Sequence, residues 1–163
     1  MCRLHYLCQK YELMLKLNLP PYQLRIKEDG GRTMIFDSIR KKFVVLTPEE
    51  WVRQNFVMFL MQEKGIPAGL LSVEKGLVLN KTQKRTDIVV FDRSGHPVLI
   101  VECKAPAVKV TQSVFDQIAR YNLTLKGRFL VVTNGLEHYC CQMFHEEKRY
   151  EFRQSIPHFS QFA

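Results

Sequence analysis

The chain has 163 residues, 46% of them hydrophobic, which supports one packed domain and excludes a disordered chain. Lys and Arg number 24 against 16 Asp and Glu, a formal charge of +8, so polyanions are the expected partners, nucleic acid ahead of acidic lipid. No apolar run approaches the ~18 residues of a helical membrane span, so no membrane role is expected.

Residues 1–21 read as an N-terminal extension, with a downstream start conceivable at Met14; they lack the charge, apolar block and cleavage-site order of a signal peptide. Residues 22–163 read as a single domain. Tyr22–Lys27, the turn 28–31 (EDGG) and Arg32–Asp37 predict a first hairpin. A basic patch, Arg40–Lys41–Lys42, follows. Thr47–Pro48–Glu49–Glu50 is a strong helix start, with Thr as N-cap, Pro in the first turn and Glu50 closing a capping box. Val52, Phe56, Phe59 and Leu60 recur at helical spacing and carry the helix to about Lys64.

Leu70–Leu79 is a strand candidate interrupted at Glu74–Gly76, and Asn80–Arg85 reads as a polar, basic turn. The apolar runs Ile88–Phe91 and Val98–Val101 form a hairpin around Arg93–His96. Thr111–Lys126 returns to helical spacing and ends at Gly127, a C-cap signal. Arg128–Thr133 is a short apolar strand of the kind buried on both faces. His138–Phe144 and Arg149–Arg153 predict a last hairpin. From Thr47 to Thr133 the order is helix, three strands, helix, strand. The last strand follows a crossover helix and so lies parallel to a central strand, giving an α/β fold with a mixed sheet.

The central hairpin carries charge where its apolar pattern ends. With an even turn loop, opposed residues have numbers that sum to 189, so Asp87 faces Glu102. Lys104 lies two residues on and shares that face. Two carboxylates directly opposed repel, at a cost of about 0.2–1 kcal/mol when exposed and more beside apolar strands. A divalent cation such as Mg²⁺ or Mn²⁺ turns this repulsion into attraction, since hard oxygen ligands suit it. The bland alternative is a solvated strand end with an ordinary Lys–Glu pair.

Asp87 and Glu102–Cys103–Lys104 resemble the D…(D/E)xK active site of the PD-(D/E)xK nuclease superfamily, whose core has the helix–three strands–helix–strand order found over 47–133. Gln117–Tyr121 (QIARY) resembles the QxxxY motif of RecB-like and type I restriction nucleases. The segments IFDSIRKKFVVLTPEEWVRQ, VECKAPAVKVTQSVFDQIARYN and VVTNGLEHYCC resemble small standalone proteins related to the N-terminal nuclease domain of type I restriction R subunits. One departure is Thr86, where the family's name has Pro before the Asp. The resemblance implies a restriction-endonuclease-like core with N- and C-terminal hairpins. It implies Asp87 and Glu102 as ligands of Mg²⁺ or Mn²⁺, Lys104 as the catalytic lysine, and Gln117 and Tyr121 as support or backbone contacts. An acid of the first helix completes the metal shell in many members; Glu50 is the candidate here and Glu49 the reserve. DNA is the implied substrate, within a homodimer or a larger restriction or repair complex. A catalytically silent or partner-dependent nucleic-acid-binding module of the same fold is the alternative, and a structural protein without a nucleic-acid ligand is a third.

Glu74 reads as an acid on a solvated strand face, and Arg40–Lys42 and Lys81–Arg85 as basic clusters suited to phosphates. No GxxxxGK[ST] loop occurs, so ATP-driven translocation is not encoded in these residues. The five cysteines, Cys2, Cys8, Cys103, Cys140 and Cys141, show no metal-like spacing, and a reducing, cytoplasmic location is expected. Cys140 and Cys141, adjacent in a strand, point to opposite faces and cannot readily serve one zinc with His138 and His145.

Overall fold

A computed structural model describes residues 16–79 and 82–162. The extension 1–15, with Cys2 and Cys8, lies outside the described residues. Three short strands, β1 (Ile26–Asp29), β2 (Arg32–Asp37) and β3 (Lys42–Val45), pair antiparallel in that order. Gly30 and Gly31, at φ +55° and +77°, supply the left-handed turn of the first hairpin. The sequence reading anticipates that hairpin, with the first strand shifted from Tyr22–Lys27 to Ile26–Asp29 and the turn narrowed to the two glycines, but not β3, a four-residue run that begins inside the basic patch. Asp37 folds the β2–β3 turn. Its Oδ1 accepts the N–H groups of Ile39 at 2.8 Å and Arg40 at 2.7 Å, an Asx-type turn that substitutes a carboxylate for a strand partner.

Helix α1 (Pro48–Gln62) begins as expected: Thr47 Oγ1 accepts the Glu50 N–H at 3.0 Å, and Pro48 occupies the first turn. The other half of the expected capping box is replaced. The Glu50 carboxylate is taken by Arg40, Arg53 and Gln54. The helix ends at Gln62, short of Lys64, where Gly65 at φ +67° reverses the chain.

The main sheet has six strands in the order β4 (Leu71–Leu79), β5 (Thr82–Phe91), β6 (Pro97–Cys103), β7 (Phe129–Thr133), β8 (His138–Phe144) and β9 (Arg149–Arg153). Only β6 and β7 are parallel; every other pair is antiparallel. They are joined by α2 (Gln112–Leu125), so the mixed sheet and the crossover follow the predicted order. All five residues of β7 are buried, as its unbroken apolar run requires. The final hairpin matches its predicted bounds. The predicted turn at Asn80–Arg85 is shorter. Residues 82–85 continue β5 and pair with β4 out to Leu79–Thr82, with 80 and 81 outside the described residues. Their polar side chains carry no apolar alternation, which is why they read as a turn.

The two helices cover opposite faces. Val52, Phe56, Val57 and Leu60 of α1 pack on Ile88, Val90, Leu99, Val101 and Val131. Phe115 and Ala119 of α2 pack on Ile100, Leu130, Val132 and Cys141. Alternate strand residues thus serve alternate cores. Cys140 belongs to the α1 side and Cys141 to the α2 side, so the two thiols diverge as expected. The α2 C-cap is Lys126 in the left-handed region rather than Gly127. Gly127 is needed for proximity: a Cβ there would lie 2.8 Å from Ile100.

Leu17 and Asn18 are tied to the β7–β8 turn. Asn18 N–H donates to the Gly135 carbonyl at 2.7 Å, and Gly135, at φ +83°, has room for no Cβ beside Leu17, 2.6 Å away. Gly135→Ala combines a disfavoured φ with this crowding and is expected to cost about 1–3 kcal/mol, read by urea denaturation. An unchanged midpoint would show that the strap yields freely.

Candidate active site

The register that brings the acids together follows the predicted arithmetic in the interior of the hairpin. Ile88 pairs Val101, Val89 pairs Ile100 and Val90 pairs Leu99. The turn departs from it: a shift after Val90 pairs Phe91, not Asp92, with Pro97. Asp92 instead closes the loop through its carboxylate, which accepts the N–H groups of Ser94 and His96. At the other end the β5–β6 ladder stops at Ile88–Val101. Asp87 Oδ2 then accepts the Cys103 N–H at 2.7 Å, a side chain doing the work of the next ladder bond. The Lys104 N–H donates to the Thr133 carbonyl at 2.8 Å, which prolongs the parallel β6–β7 pairing and holds Lys104 at the sheet end.

Lys104 Nζ sits 2.7 Å from Glu102 Oε1, both side chains about three-quarters buried. Glu102 is pushed above the usual carboxylate range, first by burial and then by the negative charge of Asp87, in spite of Lys104. Burial alone lowers Lys104, but its bond to Glu102 and the charges of Glu102, Asp87 and Glu49 outweigh it and raise it above an ordinary lysine. Lys104 is therefore an ammonium at neutral pH. Asp87 and Glu102 sense each other as like charges, and Lys104 offsets only part of that repulsion.

Behind these residues lies a network that sequence reasoning missed. The guanidinium of Arg53, 4% exposed, donates to Asp87 Oδ1 at 2.6 Å, to Glu49 Oε1 at 3.1 Å and to Glu50 Oε2. It also lies 3.4 Å from Glu74 Oε1. Arg40 reaches Asp37 Oδ2 at 2.5 Å, Glu50 Oε1 at 3.2 Å and Glu74 Oε2. Gln54 donates to Asp37 at 2.9 Å and Glu50 at 2.7 Å. Burial works against the Asp37 charge, yet the Arg40 N–H and guanidinium and the Gln54 amide hold its carboxyl below the usual range. The available signal was the E-E-x-x-R-Q run of 49–54. It places Arg53 and Gln54 three to five residues after the acids, on one face of a helix. Arg40 gave no such signal and read as a phosphate-facing cation, whereas its side chain is only 16% exposed and turned inward. Glu74, read as a solvated acid, is shared by both guanidiniums, as Glu50 is. It sits at φ +50°, where the β4–β5 ladder lapses opposite Asp87.

The other predicted residues are distributed unevenly. Glu50 is buried at 5% exposure and fully engaged by cations and an amide. Glu49 is more open, at 43% side-chain exposure, and its charge acts on both Glu102 and Lys104. Gln117 lies on the exposed side of α2, and among the described residues no hydrogen bond joins it to the cluster. The Tyr121 side chain lies outside the described residues. Among the described residues no three His, Cys, Asp or Glu side chains converge as a ready metal cage. His138 is bonded to Thr133 and to the Asn18 carbonyl, and His145 to the Gly127 carbonyl, so neither assembles a zinc site with the cysteines. No described helix is long and apolar enough to cross a membrane.

A solved fragment assigned as an HsdR subunit of a type I restriction enzyme from Vibrio vulnificus YJ016 superposes with a TM-score of 0.51 at 20% identity, which shows a shared fold. The likeness covers 69% of this chain and 24% of that one, so this chain spans about a quarter of that structure's length. No curated protein matches. Residues 48–157, which contain α1, all six strands of the main sheet and the cluster around Asp87, match the family model for the type I restriction enzyme R protein N terminus. That match spans more than half of the chain, and the chain belongs to the family of type I restriction enzyme R protein N termini.

Proposed function

We propose that the chain is a metal-dependent endonuclease that hydrolyses phosphodiester bonds, in DNA, with Asp87, Glu102 and Lys104 at its centre. One arrangement carries this reading: Asp87, fixed by the Cys103 N–H and Arg53, and Glu102, 2.7 Å from Lys104, stand at the same end of the sheet, where burial and the Asp87 charge raise the Glu102 carboxyl. Asp87 and Glu102 would hold a divalent cation, whose charge would offset their repulsion. The donor set suits Mg²⁺ or Mn²⁺, which accept one or two carboxylates and complete their shell with water and substrate phosphate rather than a full protein cage. The overall charge of +8 around an acid-rich site suits a polyanionic substrate with a cation at the reacting phosphate.

When bound, the cation supplies Lewis-acid polarisation of a phosphoryl oxygen and activation of water. The residues of the chain do the rest. Asp87 is held in one orientation by the Cys103 N–H and Arg53, so its remaining lone pairs are presented without reorganisation. Lys104, charged at neutral pH, offsets the negative charge that grows on the phosphoryl oxygens. A water oxygen bonds to phosphorus, one P–O ester bond breaks, and the departing oxygen takes up a proton. Glu49 suits the third acidic position better than Glu50, because it is open and already felt by Glu102 and Lys104. Gln117, exposed on α2, suits contact with the DNA backbone, and Tyr121 shares that helix. Family membership suggests work in the cytoplasm, as a homodimer or in a larger restriction complex.

The test is cleavage of a panel of DNA and RNA forms with Mg²⁺ or Mn²⁺. Asp87→Ala and Lys104→Ala are each expected to lose at least ~100-fold in kcat. Salt-sensitive DNA binding without cleavage would instead establish a silent or partner-dependent binding module. Because the folded Glu102 titrates above an ordinary glutamate, protons compete with the cation from a higher pH. Mg²⁺ affinity should weaken up to about tenfold per pH unit below that point, read by calorimetry. A carboxyl raised on folding costs stability when ionised, and the cost disappears as pH falls through its folded pKa. Glu102→Gln is therefore expected to raise Tm at pH 7 in chelator while abolishing cleavage; a lower Tm would contradict the repulsion.

A further inference from the structure

We infer that Arg40, in the β2–β3 turn, is a positioning residue for Asp87, acting through Glu50, Glu74 and Arg53. The inference rests on the reading of Asp87 as a metal ligand. Arg40 lies ahead of the segment 48–157 that matches the family, in the small N-terminal sheet rather than in the main one.

The connection is a line of alternating charge. Asp37 holds Arg40; Arg40 bridges Glu50 and Glu74; those two acids hold Arg53; Arg53 holds Asp87. Asp37 is fully buried and accepts two backbone N–H groups, the Arg40 guanidinium and an amide, which anchors the line at its far end. At the near end Asp87 has one oxygen on Arg53 and the other on the Cys103 N–H. Its orientation is set from both sides. Ion pairs of this depth contribute less to stability than well-packed apolar side chains of the same volume. A line of them running from a peripheral turn to the sheet end is better explained by what it fixes in place.

The consequence of removing Arg40 follows from competition for one guanidinium. Glu50 and Glu74 each lose a cation, and Arg53 is the guanidinium they still share. Arg53 is drawn toward them and releases Asp87 Oδ1, and Asp87 is then held by the Cys103 N–H alone.

Arg40→Met in the full chain tests this, with Arg40→Lys, which keeps the charge but not the three-way reach, as the second variant should Met impair folding. Mn²⁺ affinity is expected to weaken by about tenfold or more, the effect of losing an outer-shell partner. DNA cleavage should lose kcat with KM unchanged. In metal-free protein the Cys103 amide should exchange faster relative to the Ile100 amide in the same strand. Unchanged Mn²⁺ affinity and an unchanged Cys103-to-Ile100 exchange ratio, even with a lower Tm, would overturn the inference and leave Arg40 a purely structural residue. Failure of the wild-type chain to cleave any nucleic acid would overturn the nuclease reading alone, since the exchange ratio still decides the positioning.

Discussion

Carboxylates beside apolar strands persist only where each finds a cation or an N–H group, and that constraint shapes one whole end of this molecule. Asp37, Glu50, Glu74 and Asp87 come from four separate elements, yet all are held by Arg40 or Arg53. The two guanidiniums suit the task because their planar fork serves several oxygens at once, which a lysine ammonium does with less geometric control. Glu102 stands apart, with a lysine as its bonded partner and Asp87 as its repelling neighbour. The asymmetry divides the cluster: these four acids are held by guanidiniums, and Glu102 is bonded to a lysine beside a like charge.

The strands made this end of the sheet legible in advance. An even turn loop predicted which residues of Ile88–Val90 and Leu99–Val101 oppose, and that pairing holds although the turn does not have the expected geometry. The irregularity after Val90 is absorbed by the loop, where Asp92 supplies the missing hydrogen bonds. A hairpin can therefore be misjudged at its tip and still be read correctly in its interior; the ladder stops at Ile88–Val101, one step short of Asp87 and Glu102.

What escaped the sequence escaped for physical reasons. Strand β3 is four residues long and starts at a lysine, so its apolar content is too small to mark a period. Polar residues 82–85 extend β5 by backbone pairing with β4, without an apolar period in the sequence to mark it. The inward turn of Arg40 depends on acids 10 and 34 residues away, which no local pattern reveals. Glu50 shows the opposite hazard. Its local role as a capping partner was legible and plausible, and a long-range partner displaced it. Lys126 and Gly127 show how the same glycine can be noticed for one reason and required for another.

The divergence of Cys140 and Cys141 onto opposite faces of β8 has a chemical consequence. Burial pushes the first thiol up to about 11 and the second to about 12. The nucleophilic form of a cysteine is the thiolate, so burial and a raised thiol pKa both work against attack on oxidants and alkylating agents while the sheet is intact. They become reactive when the strand opens, which makes this adjacent pair a built-in reporter of unfolding.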